Sequence, residues 1–369
     1  MSGPCLAGLR VLDLSQYLPG PFATLMLVDF GAEVVKVEPP AGDPMRGLEP
    51  IGADGEGLSW RAVNGGKTVV RLDLKDPADQ DRLARLVERA DVLLESFRPG
   101  VMARLGFAAE RLAELNPRLV HCALTGWGYT GPRSKAAGHE IGYAAAAGAL
   151  DYQGPAAAPC ASFPPVGDMV AGLSAALAIL AAVLRARAEG QGAFLDCSIF
   201  ESVLALQFYP QTLALNGPLG REESVLNGGA ACYRVYRAAD GRFVSLGALE
   251  AKFWAAFCRA VGREDWVARQ AEPMPQTDLI GEVADLFAAH PLAHWQAVLA
   301  EADCCFEPLL TPEEVRRDPH VVARGLVHGG DAPGGAVEVA APVLIDGAPP
   351  PRRAAPRECP AEAVLAAWG

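Results

Sequence analysis

An imidazole and a carboxylate stand side by side at His139 and Glu140 in the stretch KAAGHEIGYAAAAGAL, where the Ala and Gly around them offer no partner. Such a pair can transfer protons near neutral pH or can be a satisfied structural hydrogen bond, and alone it leaves both readings open. Its spelling begins like the zinc motif HExxH. Tyr143, however, occupies the place of the second histidine, and one His with one Glu cannot hold a catalytic zinc, which takes three protein ligands and a water. Asp168, in PPVGDMVAGLSAAL, falls between Pro and Gly and a strongly apolar run, the position of a helix N-cap. An aspartate placed there is partly desolvated and close to backbone donors, so it can cap the helix, act as a base or attack an electrophile. Glu250, in FVSLGALEAKFW, follows an apolar strand pattern and precedes a helical one, which by itself reads as a solvated first-turn residue.

Two further patterns bear on ligands. Gly126, Gly128 and Gly131 in TGWGYTGP spell GxGxxG after a plausible strand, but Trp127, Tyr129 and Pro132 argue against the helix that must follow in a dinucleotide site. An ordinary strand-ending loop is the better account. Basic residues recur near the expected carboxyl ends of the early strands, at Lys36, Arg46, Arg71, Lys75, Arg98 and Arg104. In an acidic chain, that concentration fits a pocket for a phosphate-bearing ligand.

The elements that must position these residues alternate along the first part of the chain. LRVLDLS, AEVVKVE, KTVVRLDL, DVLLESF and RLVHCALT read as strands, with helical patterns such as PFATLMLVDFG and PADQDRLARLVERA between them. Short β-branched runs separated by amphipathic helices predict parallel strands with helical crossovers, hence an open α/β sheet whose ligands lie at the strands' carboxyl ends. The apolar run Met169 to Leu184 ends at Asp168 and Arg185. It is shorter than the roughly 18 to 20 residues needed to cross a bilayer and predicts a buried core helix.

A Gly, Pro and Asn-containing connection then marks a change of pattern, and Asp240-Gly241 signals a hairpin. The expected organisation is a large α/β domain over 1–205, a linker over 206–229, a small α+β domain over 230–325, and a C-terminal segment over 326–369 packing back on the large domain.

With 369 residues, 51% of them hydrophobic, the chain has material for a sizeable core. A formal charge of -12 offers no general attraction to nucleic acid or to an anionic membrane, so neither partner is expected. Nine scattered cysteines without CxxC spacing predict neither a zinc site nor a disulfide framework. MSGPCLAGLR lacks the pattern of a secretory signal, and a cytoplasmic location is expected.

The ordered blocks LRVLDLSQYLPGPFATLMLVDFGAEVVKVEPPAGDPMR, GKTVVRLDLK, ADVLLESFRPGVMARLGF, LNPRLVHCALTGWGYTGP, PPVGDMVAGLSAALAILAAVLRARAEGQGAFLDCSIFES and YRVYRAADGRFVSLGALEAKFW together resemble the CaiB/BaiF family. These are the class III CoA transferases, which include α-methylacyl-CoA racemases. The resemblance implies a large, open, mostly parallel Rossmann-like domain, a smaller α+β domain, a returning C-terminal segment and an interlocked homodimer. It also implies an acyl-CoA substrate, with CoA as part of that substrate, no tightly bound cofactor and no metal.

In the family's transferases the aspartate matching Asp168 is the nucleophile and carries CoA as a thioester. In its racemases that aspartate is one of two bases. The other is a histidine in a block like GHDINY, which GHEIGY matches at His139, with Glu140 at the following acidic position. A racemase glutamate in a block like GAIEPQF matches Glu250, and its role is to orient the histidine, from the opposing subunit. The family's CoA contacts fall at Leu72, Asp73, Leu74, Lys75, Ser96, Phe97, Arg98 and Arg104. The histidine and Glu250 favour a 2-methylacyl-CoA racemase or epimerase; a CoA transferase acting through Asp168 is the alternative.

Overall fold

The computed structural model describes residues 4–217, 220–330 and 335–369. The first three residues of the N-terminal stretch, 218–219 of the expected linker and 331–334 of the expected C-terminal segment lie outside the described residues. The chain forms two compact units. The first comprises Met1–Ala147, Phe163–Leu206 and Arg316–Gly369, and the second Gly148–Ser162 and Gln207–Val315.

The first unit is built on six strands, β1 (Arg10–Leu14), β2 (Glu33–Glu38), β3 (Thr68–Arg71), β4 (Val92–Glu95), β5 (Val120–Thr125) and β6 (Ala193–Ser198). A two-residue strand from the chain's end, β12 (Arg357–Glu358), makes the seventh, in the order β12-β3-β2-β1-β4-β5-β6. Every neighbouring pair is parallel. Helices cover both faces of a parallel sheet, so its central strands read as near-continuous apolar runs. The chain lays down β1 to β3 toward one edge and β4 to β6 toward the other, which puts the topological switch between β1 and β4. There Gln16 N–H, just past β1, donates to Ser96 Oγ, just past β4, at 3.1 Å.

Helix α1 (Pro19–Asp29) follows β1, α2 (Pro77–Val87) links β3 to β4, and α3 (Glu140–Ala146) lies beyond β5. Helix α4 (Val166–Glu189) precedes β6, which runs into α5 (Ile199–Leu206). Proline at 164 and 165 prevents α4 from starting earlier, and Gly190, left-handed at φ 77°, ends it. This helix is longer than the apolar run within it, and by length and composition it could cross a membrane. In the fold it packs on α1, β5 and β6, with Ala171, Ala175 and Ile179 completely buried. Small residues bring α4 against α1 closely enough that a Cβ on Gly172 would lie 2.7 Å from the Pro19 carbonyl oxygen.

On the opposite face the chain's end returns as α9 (Ala361–Trp368). Its Val364, Leu365 and Trp368 join a core with Leu12, Val35 and Leu83. This end of the chain packs within the first unit, after the short antiparallel pair β10 (Val327–Gly329) and β11 (Val337–Val339).

The second unit carries the antiparallel sheet β7-β8-β9, from Tyr233–Arg237, Phe243–Gly247 and Phe306–Pro308. Gly241, at φ 83°, turns the β7–β8 hairpin. Helices α6 (Ala251–Ala260), α7 (Thr277–Ala288) and α8 (Leu292–Leu299) close over an aromatic core of Trp254, Phe257, Phe287 and Trp295. The mixed α/β class expected from the sequence is the class observed.

Candidate functional site

At the corner where α3 meets α4, three ionisable side chains come together. His139 is the N-cap of α3, in extended conformation (φ -131°, ψ 169°), and makes no capping hydrogen bond with its side chain. Its ring is exposed. Glu140, the first residue of α3, turns its carboxylate to the amino end of α4, where Oε1 accepts from Gly167 N–H at 3.0 Å. The approach requires glycine: a Cβ on Gly167 would lie 2.8 Å from Val203 Cγ2 and 2.9 Å from Glu140 Oε1.

Asp168 follows Gly167 and sits in the first turn of α4, whose N-cap is Pro165. The N-cap position expected for Asp168 from the sequence is not the one it holds. The helix begins earlier, directly after the two prolines, and Glu140 serves the orphan amide of its first turn from a different helix. Asp168 is thereby released from capping, and among the described residues its carboxyl has no hydrogen-bond partner. Burial and the neighbouring Glu140 carboxylate push its pKa up to about 6, with His139 pulling the other way. A carboxyl poised there is largely ionised at neutral pH and remains a competent proton carrier.

Tyr143, which stands where a zinc motif would need its second histidine, completes this corner. It lies three residues after Glu140 on α3, hence on the same helix face, which is the signal that could have found it. Its ring meets Trp127 edge-on with centroids 4.8 Å apart.

The residues expected to hold CoA lie past β3 and β4, on the carboxyl side of the sheet. Leu72 is buried in the core, so only its backbone is available there. Asp73 N–H donates to Asp79 Oδ2 at 2.7 Å, Asp73 Oδ1 accepts from Lys75 N–H at 3.0 Å, and Leu74 O accepts from Gln80 Nε2 at 2.9 Å. These bonds fix the loop. Beside the switch point, Ser96 Oγ accepts from Gln16, and Phe97 N–H donates to Glu95 Oε2 at 2.6 Å. Lys75, Arg98 and Arg104 are exposed, and none has an ion pair among the described residues.

The other three basic residues are committed internally. Lys36 is fully buried, 3.1 Å from Asp43 Oδ2. Arg46 pairs with Glu38, Glu56 and Glu358 and stacks on Trp60, and Arg71 pairs with Glu358. The phosphate-pocket reading therefore narrows to Lys75, Arg98 and Arg104, because tertiary partners neutralise the rest. The GxGxxG glycines lie in a loop after β5, with no helix opening on them.

Glu250 belongs to the second unit. It is the exposed N-cap of α6 rather than a first-turn residue, and its side chain makes no capping bond. Among the described residues no group of three or more His, Cys, Asp or Glu could hold a metal ion.

An exposed imidazole beside a carboxyl of raised pKa can exchange a proton at carbon in either direction, and the same carboxylate can attack an electrophilic carbonyl. The comparisons with known proteins bear on both. A family model described as CoA-transferase family III matches residues 6–358. The human α-methylacyl-CoA racemase is 35% identical over 327 residues, covering 87% of this chain and 81% of that protein. The succinyl-CoA–D-citramalate CoA-transferase of Chloroflexus aurantiacus is 34% identical over 334 residues, covering 88% and 83%. In fold, the chain is similar to a CAIB/BAIF family protein from Brucella suis, with a TM-score of 0.87, 24% identity and full coverage of both chains.

Proposed function

The chain belongs to CoA-transferase family III, whose members are acyl-CoA racemases or CoA transferases, and from that premise we propose that it is a 2-methylacyl-CoA racemase or epimerase. The observation that carries the proposal is the proximity of His139 and Glu140 to Asp168, which has no hydrogen-bond partner among the described residues and whose pKa is pushed up to about 6. Inverting a carbon beside a thioester needs one base to take the α-proton from one face and a conjugate acid to return one on the other. Asp168 carboxylate and His139 imidazolium fill those roles in one direction and exchange them in the reverse. Glu140 holds the amino end of α4 in place, and Glu250 of the partner subunit orients the imidazole.

Coenzyme A, as part of the substrate, is assigned to the loops of Leu72, Asp73, Leu74 and Lys75 and of Ser96, Phe97 and Arg98, together with Arg104. The cations at 75, 98 and 104, without ion pairs among the described residues, and the position of Ser96 at the topological switch support this. The large unit is accordingly read as the CoA-binding domain. A homodimer is part of the proposal, supported by the apolar face that α4 leaves open at Leu173, Leu177 and Leu184, with Leu177 71% exposed. All nine cysteines are free thiols, which supports a reducing, cytoplasmic setting.

The second reading is a CoA transferase in which Asp168 attacks the acyl-CoA and then carries CoA as an aspartyl thioester. The 34% identity to a CoA transferase favours keeping it. One panel of 2-methylacyl-CoAs in deuterated water, with and without free carboxylic acids, separates the two. Solvent deuterium at the α-carbon without any acceptor acid supports the racemase. Acid-dependent transfer of CoA without such exchange overturns it in favour of the transferase, and neither activity across the panel overturns both.

A further inference from the structure

Tyr143 carries a hydroxyl that the described residues leave unused. The residue is 6% exposed, and its ring fills space that two glycines leave open. A Cβ on Gly126 would collide with Tyr143 Oη, and one on Gly138 would lie 2.6 Å from its Cε1. Trp127 closes a third side, edge-on at 87°. The phenol is thus fixed in place by packing, yet among the described residues Oη has no hydrogen-bond partner. Tyr143 shares a face of α3 with Glu140, which bonds the amide next to Asp168. The charges that act on it are those of Asp168 and Arg98, one from α4 and one from the loop after β4. Burial first, and then Asp168, raise the phenol's pKa, so it stays a donor throughout the neutral range.

We propose that Tyr143 is a catalytic residue whose hydroxyl donates a hydrogen bond to the thioester carbonyl oxygen of the bound acyl-CoA. The inference rests on the acyl-CoA reading above but not on the choice between its two chemistries. When a base takes the α-proton, the C–H electron pair becomes the enolate double bond and the carbonyl π pair moves onto oxygen. When Asp168 adds to the carbonyl carbon, the same π pair moves onto the same oxygen, and its return expels the CoA thiolate. In both cases a fixed donor at that oxygen stabilises the transition state without giving up its proton.

The test is Tyr143→Phe, which keeps the ring between Gly126, Gly138 and Trp127 and removes only the hydroxyl. The expected result is a kcat lower by about 100-fold, the scale of losing one oxyanion donor, with KM and thermal unfolding midpoint close to wild type. Isotope-edited infrared spectra of bound 2-methylpropanoyl-CoA, labelled at the thioester carbonyl, supply a second readout: the carbonyl stretch moves to higher frequency in the variant as a hydrogen bond is lost. That signal comes only from ligand held by folded protein, so it decides the matter even if the variant is destabilised. Wild-type kcat together with an unmoved carbonyl stretch overturns the proposal. An absence of both exchange and transfer in the wild type would instead count against the acyl-CoA reading, a result the Tyr143 comparison cannot produce.

Discussion

Glu140 Oε1 accepts a 3.0 Å hydrogen bond from Gly167 N–H, so a carboxylate at the start of one helix caps the amino end of another. The arrangement has two effects on the residue that follows Gly167. It frees the Asp168 carboxyl from capping and places a like charge near it, and that charge adds to burial in raising the Asp168 pKa to about 6.

Glu140→Gln separates these effects, since the amide oxygen can still accept from Gly167 while the charge is gone. With its like-charged neighbour removed, Asp168 should ionise at lower pH. The acid limb of activity that depends on Asp168 as a base is expected to move down by roughly half to one pH unit, read from a kcat against pH profile. A limb that stays in place would show that burial alone sets the Asp168 pKa.

Asp168→Asn should remove activity and stabilise the fold. Below about pH 4 the wild-type carboxyl is protonated in both folded and unfolded chains and costs nothing. Between about pH 4 and 6 the folded protein keeps a proton that the unfolded chain has lost, so stability falls as pH rises. Above that window the penalty is fully present, at roughly 2 kcal/mol once partial solvent screening is allowed for. Denaturant titrations should show the variant more stable at pH 7.5 and equal to wild type near pH 3.5. Equal stability at both values contradicts the raised pKa.

His139→Ala discriminates between the two chemistries. The imidazole is exposed and caps no backbone donor with its side chain, so its loss should leave the unfolding midpoint nearly unchanged. If the chain is a racemase, α-deuterium incorporation is expected to fall by roughly 100- to 10,000-fold, the scale of a lost general acid or base. Incorporation at the wild-type rate would remove His139 from the proton pathway.

A fourth prediction concerns the sheet that carries the site. Asp13 on β1 is fully buried; its Oδ2 lies 3.1 Å from Lys67 Nζ and accepts from Thr24 Oγ1 at 2.6 Å. Against the cost of burial, Lys67, Lys36 and the hydroxyls of Ser15 and Thr24 hold its carboxyl well below the usual range. Asp13→Ala leaves Lys67 buried without its carboxylate and should cost about 3 to 5 kcal/mol, measured by equilibrium unfolding. A loss under 1 kcal/mol would mean that Lys67 sheds its proton readily. Burial already lowers its pKa to about 8.

The parallel sheet was legible because its chemistry is local. Val11, Leu12 and Leu14, Val34, Val35 and Val37, and Val92 to Leu94 are buried, and burial on both faces leaves its mark as near-continuous apolar runs, broken here only by Asp13 and Lys36. The β7–β8 turn was legible for a similar reason, since Gly241 takes a positive φ that a side chain resists. His139, Glu140 and Asp168 were visible as residue types with chemical potential, and the resemblance of whole blocks to a family supplied their pairing.

The partners of charges were not legible. Lys36 and Arg46 looked like candidates for a phosphate, and nothing near them in sequence reveals that Asp43, Glu38 and Glu358 take them up. Tyr143 read as a missing histidine until the packing of Gly126 and Gly138 around its ring became visible. The sequence by itself determined which segments become strands and helices and which residues can carry protons, because those properties depend on a residue and its near neighbours. Only the tertiary structure decided which carboxylate caps α4, which is left free and at what pH it ionises, because desolvation and Coulomb forces act across space between residues that the chain separates.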